Sequence, residues 1–237
     1  MGCMGSSTEM TTKPTLVKIE YFPLLGRAES LRMLCHSQDI KYEDVTITLE
    51  KWGGELKGKG DYAKGGLPHC VIDGKRCSET VPMLKMIAKC AGMYKGVDAE
   101  CAKWNDEQME VLNGGPMGGS GPWYFANVAK GVAIGDEGRA QAIADWKKTM
   151  CDAFAPIEAK MKEKSWTMSA GNTMMPLDCQ IFSFYSEFVI NESADAGLQD
   201  GYDMMTEVFE AHPCMKKMVE TIAGMDKCKA FLGARMK

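Results

Sequence analysis

Between positions 16 and 91 the apolar residues change their spacing in an order that a small mixed sheet flanked by helices satisfies. Val17, Ile19 and Tyr21 alternate with Lys18 and Glu20, the period-two signature of a half-buried strand. Pro23 and Gly26 break that strand, and Ala28, Leu31, Leu34 and Cys35 then recur at helical spacing over residues 27–38. Val45, Ile47 and Leu49 alternate with Thr46 and Thr48, which predicts a second strand, followed by a Gly- and Lys-rich loop over residues 51–66. Pro68 opens a short strand through Val71 and Ile72, and Asp73-Gly74 is a hairpin signal into Arg76 and Cys77. Ser78 is expected to cap a helix that runs to residue 91. The predicted order is β-α-β, then β-β-α.

Beyond residue 96 the pattern is helical. A first helix is predicted over residues 97–112, stopped by Asn113-Gly114-Gly115-Pro116. Residues 138–164 carry Ala142, Ile143, Trp146, Met150, Phe154, Ile157 and Met161 on one stripe, with Pro156 expected to kink the helix. Residues 177–190 are dense in aromatic and branched side chains and should form the buried centre. Two shorter helices, over residues 202–211 and 213–223, are predicted to complete the chain. The organisation read from the sequence is a flexible tail (1–14), an α/β domain (15–92), a linker (93–102) and an all-helical domain (103–237). The five glycines of residues 114–121 lack the GK[ST] ending of a phosphate-binding loop and follow no strand, so they read as a bend.

Composition excludes several functions. The 237 residues carry a net charge of −4 with no basic stripe, so no nucleic-acid partner is expected. No apolar run approaches the roughly 18–20 residues that span a bilayer. The ten cysteines show no CxxC pair and no Cys/His ligand spacing, and they read as reduced, buried thiols of a cytoplasmic protein without a metal. The 20 methionines read as core packing. His36, His69 and His212 are the only histidines, and none has a readable nucleophile partner. At the amino terminus Gly2, with Ser6 four residues on, fits N-myristoylation, and Cys3 beside it is a palmitoylation candidate. Two acyl chains would be needed to attach the chain stably to the cytoplasmic face of a membrane; the bland alternative is a disordered tail.

A thioredoxin-like domain followed by a larger all-α domain resembles the cytosolic glutathione transferases. Tyr21-Phe22-Pro23 with Gly26-Arg27-Ala28-Glu29 and Leu31-Arg32-Met33-Leu34 is similar to the opening of the pi, mu and sigma classes. Trp52 with Leu56-Lys57 resembles the next glutathione-site segment, Gly66-Leu67-Pro68 stands where the family has Gln-Leu-Pro with a cis proline, and Ser78 resembles the serine at a helix start. Ala155-Pro156-Ile157-Glu158 and Leu177-Asp178 match landmarks of the helical domain. The resemblance implies a homodimer that takes glutathione as co-substrate, with a hydrophobic electrophile as second substrate and detoxification as the setting. It implies Tyr21 as catalytic residue and Phe22, Arg27, Trp52, Lys57, Leu67, Pro68, Ser78 and Glu110 as glutathione contacts, Glu110 reaching the partner subunit's ligand. Trp123 and Tyr124 fall where the electrophile site is walled.

The chemistry behind Tyr21 stands apart from the resemblance. A thiol ionises near pH 8.5 and reacts as the thiolate. Lowering that value by about two units needs roughly 2.7 kcal/mol, within reach of one hydroxyl hydrogen bond to the sulfur plus a helix N-terminus. The departures are Gly66 and Cys77, each standing where the family has a glutamine, and Met175 where a capping serine is expected, which leaves Thr173 as the candidate cap. Pro82 is unusual early in its helix. Three functions follow: conjugation of glutathione to small electrophiles, a glutathione-dependent isomerisation, or a catalytically weak adaptor tethered through the acylated tail.

Overall fold

Strand β1, Val17–Tyr21, runs inside a four-stranded sheet of order β2-β1-β3-β4 in the computed structural model, which describes residues 12–62, 66–116, 135–191 and 198–235. It pairs in parallel with β2, Tyr42–Thr46, across helix α1, Glu29–Ser37, and antiparallel with β3, His69–Ile72, which forms a hairpin with β4, Lys75–Ser78. Helix α2, Thr80–Cys90, closes the β-α-β, β-β-α unit and packs against α1. Val17, Ile19, Leu31, Leu34, Cys70, Ile72, Leu84 and Ile87 are fully buried between sheet and helices.

Three local readings change. The second strand stops at Thr46; Ile47 still donates its N–H to the Tyr21 carbonyl at 2.8 Å, but the Thr48 hydroxyl accepts from the Lys51 N–H at 3.1 Å and starts a helical turn. That cap wins over the strand alternation, so Leu49 points to solvent at 63% exposure. Leu49–Lys51 forms that turn, and within the span expected as loop, 51–66, the chain makes a π turn at Trp52–Leu56 and a 3-10 turn at Gly60–Tyr62. Ser78 does not cap α2. It is the last residue of β4, paired with His69, and the chain turns through Glu79 at φ +72° before the helix begins at Thr80. Pro82 then falls in the first turn of α2, where its missing N–H removes no helical bond.

The helical region comprises α3, Ala99–Gly114, α4, Gly135–Lys164, α5, Pro176–Phe188, α6, Gln199–Ala211, α7, Pro213–Gly224, and α8, Asp226–Arg235. Asp98 caps α3 through the Glu100 N–H at 2.8 Å. Helix α4 runs unbroken through Pro156. The sequence pattern does not announce helix α8: among its described side chains Cys228 and Phe231 are buried, too few for a legible stripe. Phe231 packs on the His36 ring, and Lys227 bonds the Ser37 carbonyl and Asp39 at the end of α1.

Helix α5 is buried along nearly its whole length and packs on α1, joining the two domains. Its N-terminus is capped by Asp178, wholly buried, which accepts from the Met175 N–H at 2.7 Å, the Ser169 N–H at 2.9 Å and the Ser169 hydroxyl at 2.6 Å. Thr173 supplies no cap, and the Ser169 hydroxyl donates to Asp178 rather than accepting from the helix. Asn105 of α3 adds a bond from the Leu177 N–H at 3.0 Å. Asp178→Ala strands three buried donors and should lower unfolding free energy by about 2–4 kcal/mol in urea titration; a loss under about 1 kcal/mol would remove Asp178 from this role.

Candidate active site

The site is built where β1 runs into α1. After Tyr21 and Phe22 the chain bends through Pro23, Leu24 and Leu25 and enters a 3-10 turn, Gly26–Ala28, ahead of α1. That turn brings the Arg27 N–H to 3.2 Å from the Tyr21 hydroxyl oxygen. Gly26 makes the approach feasible: its φ is +44°, and a Cβ there would sit 2.7 Å from the Tyr21 hydroxyl.

Tyr21 is 8% exposed. Burial pushes its phenol above the ordinary range; the Arg27 amide bond and the Arg27 and Arg32 charges pull it down, and the Glu187 carboxylate pushes it up again. The hydroxyl is therefore protonated at neutral pH. It accepts from Arg27, and its own proton has no acceptor within reach among the described residues. It is a donor available to an incoming anion.

Beside this turn the Leu67–Pro68 bond is cis, and a small polar cleft is lined by Arg27, Gly66, Leu67, Pro68, Glu79 and Thr80. Arg27, Leu67 and Pro68 thus come together as anticipated, but Ser78 does not line the cleft. The helix-start position belongs to Thr80, and the residue before it is Glu79 rather than Cys77. Cys77 lies within β4, its thiol pushed up to about 11 by burial. Where the family resemblance led to a carboxamide, this chain presents a carboxylate at the mouth of a helix.

A continuous run of rings extends from the end of β1. Phe22 lies 5.5 Å from Tyr21 and meets the Trp52 ring edge-on at 6.3 Å; Trp52 meets Tyr62 at 5.7 Å, and Tyr62 covers His69 at 4.9 Å. The Tyr62 hydroxyl donates to Glu20 at 2.8 Å, and Arg76 pairs with the same carboxylate while lying over the Tyr62 ring. This clamp fixes the segment that carries Trp52 and Lys57. Lys57 is exposed, its N–H bonded to the Trp52 carbonyl at 2.9 Å. His69 is 1% exposed with both ring nitrogens lacking a partner, and burial holds it below the usual histidine range.

Glu110 is exposed on α3, away from this cluster's hydrogen bonds. Trp123, Tyr124, Gly2 and Cys3 lie outside the described residues. A larger cleft of about 270 Å³ opens on the β2 side, lined by Tyr21, Phe22, Leu24, Tyr42 and Val45 among others. Its charged members are engaged with one another: Arg32 donates to Asp44 at 2.7 Å and to Glu29 at 3.3 Å. It therefore offers apolar wall, while the polar recognition groups sit in the smaller cleft. Among the described residues no group of His, Cys, Asp and Glu is placed to hold a metal ion, and no helix is long and apolar enough to cross a membrane.

Sequence reasoning missed Glu187. Its Oε1 accepts from the Gly26 N–H at 3.1 Å, from α5 across to the turn under Tyr21. The available signal was an acidic residue late in an otherwise apolar, buried helix.

No family model matches the chain. A probable glutathione S-transferase of Caenorhabditis elegans, gst-36, is 26% identical over 208 residues, covering 85% of this chain and 94% of that protein. Glutathione S-transferase S1 of Drosophila melanogaster is 20% identical over 234 residues, covering 91% and 77%. Among solved structures, monomeric Na-GST-3, a glutathione S-transferase of the hookworm Necator americanus, superposes with a TM-score of 0.72 at 19% identity over 93% of this chain and 98% of that one. The homologues and structural neighbours are glutathione S-transferases, and the fold is theirs: a thioredoxin-like N-terminal domain followed by an all-α one.

Two measurements check the site's construction. Gly26→Ala forces a side chain against the Tyr21 hydroxyl at positive φ and should cost about 1–3 kcal/mol in thermal unfolding; an unchanged melting temperature would contradict the close approach. His69 is held neutral in the fold, so the unfolded chain binds its proton first as pH falls. Stability should drop below about pH 6.5, and His69→Leu should flatten that limb while raising stability at neutral pH by about 1 kcal/mol; an identical acid limb in urea titrations of both proteins would refute it.

Proposed function

We propose that this chain is a glutathione transferase in which the Tyr21 hydroxyl stabilises the glutathione thiolate for attack on small electrophiles. The observation that carries the reading is the protonated Tyr21 hydroxyl, fixed by the Arg27 amide at 3.2 Å and lacking an acceptor for its own proton among the described residues. The names of the homologues support it. In the proposed step the thiol proton leaves to solvent, and the sulfur accepts the Tyr21 O–H bond. The sulfur lone pair then forms the C–S bond as the leaving group departs with its electron pair. Holding both reactants supplies proximity, and Tyr21 supplies the anion stabilisation.

The remaining roles follow from placement. Arg27 and the N-terminus of α2 at Thr80 suit the γ-glutamyl carboxylate, taking over the role expected of Ser78. The Leu67 backbone, exposed to the cleft beside Pro68, suits the cysteinyl unit. Trp52 and Lys57, at the two ends of one π turn, suit the glycyl carboxylate. Phe22 supports Trp52, Glu110 would serve the partner subunit's glutathione in a homodimer, and Trp123 with Tyr124 would wall the hydrophobic electrophile.

Gly66 and Glu79 favour a second reading. Neither side chain can offer the carboxamide donors that the resemblance leads one to expect, and Glu79 sets a negative charge beside the γ-glutamyl carboxylate. Two such losses would weaken glutathione binding by roughly 30-fold, which suits a catalytically weak adaptor, tethered to a membrane through acylated Gly2 and Cys3.

One experiment separates the two. Glutathione conjugation to a generic aryl halide is measured for wild type and Tyr21→Phe. The enzyme reading expects clear turnover that falls about tenfold or more in the variant, as for loss of one oxyanion-type donor. A wild-type rate equal to the uncatalysed background contradicts it and selects the adaptor.

A further inference from the structure

Glu187 occupies a position that helix α5 itself does not favour. It is the second-last residue of the helix, where a carboxylate faces the negative end of the macrodipole. Its gain lies across the domain boundary: Oε1 accepts the Gly26 N–H at 3.1 Å, one of the first-turn amides that have no acceptor within the helical start. Gly26 is also the residue whose missing Cβ leaves room for the Tyr21 hydroxyl. The carboxylate, the glycine turn and the phenol are therefore consecutive in space, running from α5 through Gly26 to Tyr21.

We propose that Glu187 is a positioning residue: it pins the Gly26–Arg27 turn beneath Tyr21, and its charge sets how readily an anion forms at that hydroxyl. The second half rests on the transferase reading when the anion is the glutathione sulfur; for the phenol itself it does not. The charged groups around Tyr21 are Glu187 from α5, Arg27 from the turn and Arg32 from α1, the last already paired with Glu29 of α1 and Asp44 of β2. At the phenol Glu187 therefore opposes the Arg27 and Arg32 charges together. The residue trades thiolate formation for geometry, because the carboxylate that fixes the donor also repels the charge the donor serves.

A Gln at this position keeps the acceptor oxygen and removes the charge; an Ala removes both. The test uses the full chain and alkaline ultraviolet titration, with Tyr21 isolated by subtracting the Tyr21→Phe curve. Glu187→Gln should lower the pH of Tyr21 ionisation by about half a unit to one unit, the scale of one nearby charge at intermediate dielectric. Hydrogen exchange at the Gly26 amide should stay at its wild-type rate in Glu187→Gln and accelerate about tenfold in Glu187→Ala, a contrast that a merely structural glutamate would not pair with the titration shift. If the Ala variant fails to fold, the Gln variant carries the test alone. A Tyr21 titration unmoved in Glu187→Gln overturns the proposal. In the conjugation assay the acidic limb of the pH–rate profile should move down with Glu187→Gln. A wild type without turnover whose Tyr21 titration still responds to residue 187 would defeat the transferase reading and leave the role of Glu187 standing.

Discussion

Helix α1 is gripped at its start from two sides, and the candidate site exists because of that grip. From the sheet, the Tyr21 hydroxyl takes the Arg27 amide; from the helical domain, Glu187 takes the Gly26 amide. The Glu187 bond could not form if α5 did not bury itself against α1, and α5 keeps its place through the Asp178 cap, with Ser169 and Met175 donating. The two domains therefore share one structural task. The apolar interface sets the position of α1 to within the tolerance of a packed core, and the polar groups at its end convert that position into hydrogen-bond geometry at a tyrosine.

Periodicity made the architecture legible. The alternation of Val17, Ile19 and Tyr21, the helical spacing after Arg27 and the Asp73-Gly74 turn give the strand and helix order that the structure has. Positions set by single backbone torsions were not legible. Glu79 turns the chain at φ +72°, a conformation that no pattern of side chains announces for a glutamate, and it shifts the helix start from Ser78 to Thr80. Thr48 likewise ends β2 by a local cap that overrides the alternation reaching Leu49. Helix α8 escaped because two buried residues make no stripe. Glu187 escaped because its partner is 161 residues away, beyond any local pattern.

The charge character of the site follows from those shifts. With the helix start at Thr80, the cleft gains Glu79 in addition to Arg27, and the turn under Tyr21 gains Glu187. One carboxylate shares the cleft with Arg27, which the resemblance gives as a glutathione contact, and a second holds the amide of the residue before it. On the proposed transferase reading, such a site orients a thiol well and still binds its tripeptide weakly, since orientation depends on the rigid turn whereas affinity depends on the balance of charge around the γ-glutamyl end. Removing glutamine donors at Gly66 and adding a negative charge at Glu79 both act on affinity; the Tyr21–Arg27–Gly26 unit, on which orientation depends, is intact.

Whether the Tyr21 hydroxyl stabilises a thiolate is read from the ionisation of the glutathione thiol when bound, followed by thiolate absorbance against pH at saturating protein. The bound thiol should ionise more than about one unit below the free thiol's value near 8.5 and return most of the way in Tyr21→Phe. A bound thiol that ionises where the free one does would contradict it.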